Sequence, residues 1–360
     1  MMAKSMLLYA TLILSSDAFT SFIAPQTQKT ARSDVILFAG FGETKKGGGG
    51  KKMKGSDKKK VESQLLEKYG GDIARGTEER INAAMDNLPP DLQVAAKLYK
   101  QIQQWEARLS NMSVLAQASL PSQDVDGAKR AKQELEALYK ENNVDDFTMH
   151  NFYQRTTWDA SADAKSARAV MFNMNKDMEK RVDKACSFVV EAVKTAGASG
   201  RVLDVGCGPG VLVPYLTKAG LLPKQITGTD LSPEMIRNAQ EQHRGVEFVA
   251  SDFLKVFQDE DGFDGIILCS ALHDMPDPLA ALQKAKSLLR PGGKLVILHA
   301  QGAAHVLGQV KANPVMVKRG LPSGDELNAF DLGLKVVVSP AEPGSKEDSE
   351  GGYLAVLSDE

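Results

Sequence analysis

Apolar residues recur along this chain with three rhythms, and each marks a different kind of segment. Near the start, Met6 to Leu14 (MLLYATLIL) is one short apolar run with no amphipathic partner downstream. From Val61 to about Asn143 the rhythm is helical. Leu92, Ala95, Leu98, Ile102, Trp105 and Leu109 fall at three- and four-residue intervals, one stripe on a helix that starts after Pro89-Pro90. Ala128, Ala131, Leu135 and Leu138 make a second stripe, beyond the breaker-rich stretch around Pro121 and Gly127. Two such helices are expected to fold into a hairpin, their stripes facing each other or docking on the next domain. Phe152, Tyr153 and Trp158 cluster ahead of a long helix expected from about Ala162 to Lys194. They read either as a lid over a neighbouring pocket or as ordinary packing.

From Gly200 the period changes. Short β-branched runs, Arg201–Val205, Gln225–Thr229, Val246–Ala250, Phe263–Cys269 and Lys294–His299, alternate with helical stretches. That alternation predicts a parallel sheet with helices on both faces. Ser323 with Glu326 forms a capping box for a last helix, which Gly333 is expected to end. Two further strands, Leu334–Ser339 and Tyr353–Leu357, flank a charged, Gly-rich loop (EPGSKEDSEGG) and are expected to make an antiparallel hairpin.

Composition narrows the function classes. The 360 residues carry 44 Lys plus Arg against 46 Asp plus Glu, a net charge of −2, which rules out a strongly basic, duplex-coating protein. Three cysteines, Cys186, Cys207 and Cys269, are too few and too scattered for a disulfide framework or a cysteine-rich zinc site. No apolar run reaches the roughly 20 residues of a membrane span.

The candidate chemistry gathers at strand ends. In VLDVGCGPG, Val202 to Gly210, a buried strand gives way to glycines 206, 208 and 210, which let the backbone reverse and approach a ligand. A dinucleotide fingerprint would need glycine at 211, where Val211 stands. Asp204 would repel a pyrophosphate but suits a cationic ammonium group. Asp230 ends the second strand, where a carboxylate can accept both hydroxyls of a ribose, and Ser232 caps the next helix with Pro233 in its first turn. Asp252 and Phe253 follow the third strand, placed to bond an adenine amine and stack on its ring. Leu268-Cys269-Ser270-Ala271 ends the fourth, and LLRPGGKLVIL is expected to be a helix stopped by a Pro-Gly-Gly turn into the fifth.

In this order and spacing, these pieces resemble the class I S-adenosylmethionine-dependent methyltransferases over about 160 residues, Gly200 to Glu360. The resemblance implies an α/β, Rossmann-like seven-stranded sheet, five parallel strands plus a reversed C-terminal hairpin, preceded here by an α-helical region. It implies S-adenosyl-L-methionine as cofactor. Asp204, Gly206, Gly208 and Gly210 would face the methionine moiety and Asp230 the ribose. Leu231 and Met235 would flank the adenine, Asp252 and Phe253 would bind it, and Cys269 and Ser270 would complete the cofactor site. The gap from Gly210 to Asp230 is somewhat long for the family, implying an extended loop around Leu221-Leu222-Pro223.

After the fourth strand the chain reads SALHDMPDP, without the Asn/Asp-Pro-Pro-aromatic motif of family members that methylate nucleic-acid bases or protein glutamine. The catalytic half is more similar to small-molecule methyltransferases of the quinone and sterol type. His273 is the candidate base, or alternatively a loop residue preceding the Asp277-Pro278 helix start. His299 and His305 are expected to border the acceptor pocket. A non-catalytic S-adenosylmethionine-binding interaction module, with the helical region as its platform, is a second reading. A nicotinamide-dependent oxidoreductase is a third, disfavoured by Val211.

The N-terminal residues read as an address. Lys4, the Met6–Leu14 run and Ser16-Asp17-Ala18 form a signal peptide over residues 1–18, followed by a hydroxyl-rich, acid-poor segment, residues 19–39. Together with the Ala18-Phe19 junction they resemble the bipartite plastid presequences of diatoms and related algae, and imply a plastid location; secretion is the alternative. Residues 40–60 hold eight lysines against Glu43 and Asp57, a local charge of +6, and read as a disordered Gly/Lys-rich linker. A helical region, 61–160, and a methyltransferase domain, 161–360, complete the expected division. The expected partners are a small-molecule acceptor and, through the helical region, a protein, with no specific nucleic acid.

Overall fold

Pro90, whose missing N–H costs nothing in a first turn, starts a 21-residue helix. The computed structural model describes residues 71–162, 176–258 and 262–359. The expected presequence and linker therefore lie outside the described residues, as does the first part of the long helix expected from Ala162. The helical region comprises α1 (Gly71–Asp86), α2 (Pro90–Ser110), α3 (Val114–Ala118), α4 (Ser122–Asn142) and α5 (Asp146–Ser161). Asn143, left-handed at φ 53°, stops α4. Asp145 then caps α5, accepting from the Thr148 N–H at 2.8 Å.

The two expected stripes meet, and they also dock on the next unit. Ala95, Ala96, Tyr99 and Ile102 of α2 and Ala131 and Leu135 of α4 share a core with Met149 and Tyr153 of α5. Val306, Val315, Met316 and Val317 from the α/β unit complete it. The expected stripe on α2 is buried at Ala95, Ile102 and Trp105, with Leu92 and Leu98 half-exposed against the same core, and Tyr99 joins it fully buried. The cause is Tyr153, on which Tyr99 stacks with ring centroids 5.8 Å apart.

The α/β unit opens with α6 (Lys176–Ala196) and continues β1 (Val202–Val205), α7 (Val213–Lys218), β2 (Ile226–Asp230), α8 (Pro233–Gln242), β3 (Glu247–Ala250) and β4 (Phe263–Cys269). Then follow α9 (Pro278–Leu288), β5 (Leu289–His299), α10 (Ala303–Ala312), α11 (Gly324–Ala329), β6 (Lys335–Val338), α12 (Lys346–Gly351) and β7 (Tyr353–Ser358). The strands form one seven-stranded sheet in the order β3-β2-β1-β4-β5-β7-β6. Neighbouring pairs from β3 to β5 are parallel, and β7 is antiparallel to both β5 and β6. The reversal thus belongs to β7 alone, which is wedged between its hairpin partner and β5.

Strand alternation sorts side chains to two cores. Val202, Ile267, Val296 and Leu298 face α6, α7 and α8, meeting Val189, Leu216 and Ile236. Leu203, Ile266, Leu295 and Ile297 face α9, meeting Ala281, Leu282 and Ala285. Three details differ from expectation. The EPGSKEDSEGG stretch contains helix α12, capped by Ser345, whose hydroxyl accepts from the Asp348 N–H. The capping box of Ser323 and Glu326 forms, but α11 ends at Ala329 and Gly333 stands in the later turn into β6. The Pro-Gly-Gly segment is a bulge inside β5, since Phe263 pairs with Leu289 and Gly265 with Lys294. Among the described residues, no helix is long and apolar enough to cross a membrane.

Candidate functional site

A parallel sheet exposes ligand-binding loops at the carboxyl ends of its strands, and the chain order reverses between β1 and β4. A cavity of about 330 Å³ opens there. It brings together eleven of the twelve sequence-predicted site residues: Asp204, Gly206, Gly208, Asp230, Leu231, Met235, Asp252, Phe253, Cys269, Ser270 and His273. Gly210 does not line it. A Cβ at Gly210 would stand 2.5 Å from the His243 ring, so its bareness serves the packing of α8 rather than a ligand.

The glycine loop is tied to β2. The N–H groups of Gly206 and Cys207 donate to the Thr229 carbonyl at 2.8 and 3.0 Å. Gly206 takes φ +70°, and a Cβ there would lie 2.4 Å from that of Ala271. The Asp230 carboxylate accepts from the Gly208 N–H at 2.8 Å with one oxygen and from the Ser232 N–H at 2.9 Å with the other. Those two bonds pull its pKa down, but burial outweighs them and raises it to about 6. Each oxygen keeps a lone pair for a further donor.

Asp204 is different in kind. It is 1% exposed, and neither carboxylate oxygen has a hydrogen-bond partner. Burial, with Asp230 adding to it, pushes its carboxyl up to about 8. An unpaired buried carboxylate is costly, and a cation at the cavity wall removes that cost. The unpaired Asp204 carboxylate therefore fits the cationic ammonium group of S-adenosylmethionine, which it would hold, with Asp230 and Asp252 lining the same cavity.

Helix α5, outside the sheet, supplies a wall that sequence spacing did not reveal. Asn151, Gln154, Thr157 and Trp158 line the cavity. Asn151 donates to Asp252 at 3.0 Å, and Gln154 to the Met316 carbonyl at 2.7 Å. Asp159 accepts from the Ser232 hydroxyl at 2.5 Å, and Asn238 donates to the Ala162 carbonyl at 2.6 Å. The aromatic cluster divides: Tyr153 packs inward, its hydroxyl on the Ala96 carbonyl at 2.7 Å, while Trp158 faces the cavity.

At the β4 and β5 ends, Ser270 adopts a left-handed φ of 53°, a strained setting for a residue with a Cβ. Its N–H is fixed on the Leu298 carbonyl at 2.7 Å. Beyond it His273 is 5% exposed, with Nε2 3.5 Å from Asp274 and Nδ1 unpartnered. Burial raises the pKa of Asp274, against the opposing pull of His273, Gln154 and Trp158. His299 and His305 line the same end. Asp277 caps α9 through the Ala280 N–H at 3.0 Å, a structural role.

Known proteins match this same part of the chain. Ubiquinone biosynthesis O-methyltransferase of Xanthomonas campestris pv. campestris (strain B100) is 34% identical over 140 residues, covering 37% of this chain and 56% of its own. The protein of the same name from Xanthomonas axonopodis pv. citri is 35% identical over 144 residues, 38% of this chain and 57% of its own. The chain thus spans just over half the length of the curated relatives it matches. Among solved structures, the N-methyltransferase NodS of Bradyrhizobium japonicum in complex with S-adenosyl-L-homocysteine covers 56% of this chain and 95% of its own, at 18% identity and a TM-score of 0.41. From β1 to β5, residues 203–297 match the family described as a methyltransferase domain.

Proposed function

We propose that this protein transfers the methyl group of S-adenosylmethionine to a small-molecule acceptor. The observation that carries the reading is Asp204, a buried carboxylate with both oxygens unpartnered beside the glycine loop. When bound, S-adenosylmethionine supplies a methyl group activated by a sulfonium. Displacement of so good a leaving group needs alignment above all, so the chain's task is to hold donor and acceptor in line and keep water out. Asp204 holds the cationic end, Asp230 and Asp252 fix the far end, and His273 stands ready as base for an acceptor that must lose a proton.

The match to O-methyltransferases of ubiquinone biosynthesis supports an apolar acceptor of that general size. So does the wall formed by Trp158, Met275, Met316 and Val317. The presequence form supports a plastid location.

Titration calorimetry with S-adenosylhomocysteine and with NAD tests the donor site. Heat with the first alone is expected, and Asp230→Ala should weaken it by about 1–3 kcal/mol. Heat with NAD alone would overturn the reading. Labelled methyl groups should then pass from the donor into a small-molecule fraction of a plastid extract. Donor binding with no transfer would favour a non-catalytic binding module.

A further inference from the structure

The helix after β5 turns a row of polar side chains toward the cavity. His305 and Gln309 of α10 and Asn313 at its C-terminal cap stand four residues apart on one face, and all three line the cavity. Val306 and Val310 point elsewhere, into the core that α10 shares with α2 and α5. Gln309 is the unusual member of the row. Its Oε1 atom is buried and has no hydrogen-bond partner among the described residues. An amide oxygen buried in that way costs about 1–3 kcal/mol, which a donor on a ligand offsets.

The backbone of α10 is pinned from outside the cavity. The Asp348 carboxylate of α12, 2% exposed, accepts from the Ala303 N–H at 2.6 Å and from the Ala304 and Gly344 N–H groups at 3.0 Å each. Gly302 turns the chain into α10 at φ +92°, where a Cβ would lie 2.5 Å from that carboxylate. Arg181 of α6 donates to the carbonyls of Ala300, Ser349 and Glu350. Its unpartnered Nε belongs to this clamp, since Arg181 does not line the cavity. With its first turn held and its valines packed, α10 keeps Gln309 in the cavity wall.

Position and charge define what can meet that oxygen. His299 ends β5 beside the glycine loop's end of the sheet, and His305 stacks on it with ring centroids 5.6 Å apart. Gln309 lies four residues further along α10, a rise of about 6 Å. The unpartnered Nδ1 atoms of His273 and His299 stand back at the β4 and β5 ends. A group reaching Gln309 is therefore remote from the atom that takes the methyl. It must be a donor, because a carbonyl oxygen only accepts. A cation would pair more strongly with Asp274, which lines the same cavity. An anion would meet Asp204, Asp230, Asp252 and Asp274, with no Lys or Arg among the described lining residues.

Resting on the methyl-transfer reading above, we propose that Gln309 is a specificity-determining residue of the acceptor site, and that the acceptor carries, remote from the methylated atom, an uncharged N–H or O–H group that donates to the Gln309 Oε1. Trp158, Met316 and Val317 hold the apolar body of such an acceptor.

The test compares two neutral probes of one shape, 2-naphthamide and 2-acetylnaphthalene, by calorimetric titration of the full chain saturated with S-adenosylhomocysteine. Only the first has an N–H. It is expected to bind about five- to tenfold more tightly, the range of a single hydrogen bond. Q309M, an unbranched side chain of similar length on a helix face, should abolish that preference and leave S-adenosylhomocysteine affinity unchanged. Equal affinities in the parent protein, no binding of either probe, or a preference that survives Q309M, each with donor binding intact, overturns the inference and leaves the donor site standing. No donor binding by the parent removes the methyl-transfer reading and this inference with it.

Discussion

Asn151 on α5 donates a hydrogen bond at 3.0 Å to Asp252, which follows β3 on the far side of the cavity. The amide fixes the carboxylate that the proposed donor site turns toward adenine, so a helix of the N-terminal region shapes a binding site of the α/β unit. Asn151→Leu keeps the volume and removes the bond. It should weaken S-adenosylhomocysteine by about 1 kcal/mol, and the inosine analogue, which lacks the exocyclic amine, by less. Equal losses in paired calorimetric titrations would show that Asp252 does not read the base.

Asp204 couples ligand binding to pH. Its carboxyl, raised to about 8, keeps its proton in the folded chain at neutral pH, and an arriving cation favours the ionised form. Affinity for S-adenosylhomocysteine should therefore rise with pH toward 8, and binding at pH 7 should release close to one proton. Calorimetry in buffers of differing ionisation heat measures that number. Uptake of a proton would contradict the assignment.

The same group bears on stability, with a definite sign. Because its folded pKa is raised above an unfolded value of about 3.9, its contribution to stability is fully present below pH 4 and lost as pH rises through 8. Asp204→Asn should stabilise the ligand-free protein by about 1–4 kcal/mol at pH 8 and hardly at all near pH 4, while abolishing donor binding. Urea unfolding at the two pH values checks both halves.

The two glycines of the loop should separate by role. Gly206→Ala places a Cβ 2.4 Å from Ala271 at the cavity wall, so donor binding should be lost. Gly210→Ala strikes the His243 ring, away from the cavity. It should cost stability and leave binding by the surviving folded fraction near normal. Thermal melts with and without S-adenosylhomocysteine distinguish the outcomes.

The presequence hypothesis has its own test. A fluorescent fusion of residues 1–45 should enter the plastid of a diatom, and Phe19→Ala should leave it outside. Import that survives the change argues against the bipartite form, and a secreted fusion argues for export.

The strand ends were legible because their chemistry is local: Asp204 lies within one short strand run, Asp230 ends the next, and Asp252 stands two residues past the third. Asn151, Gln154 and Met316 carried no such mark. Their place in the cavity depends on how α5 docks across the sheet, and an amide on a polar helix face looks like any solvated residue. Tyr99 was missed for a related reason, since it is turned inward by Tyr153, distant in sequence. The short helix α12 was hidden by glycines that suggest a loop, although Ser345 ahead of Asp348 is a cap in miniature.

The wedging of β7 between β5 and β6 has a consequence for synthesis. On the ribosome, β6 emerges before β7, the strand it pairs with among the described residues, so it waits without that backbone partner. Through that interval β5 presents an open edge carrying Val296, Ile297 and Leu298. The nascent chain is thus most vulnerable to aggregation just before Tyr353–Ser358 slots in, and the arrival of that one segment closes two edges together.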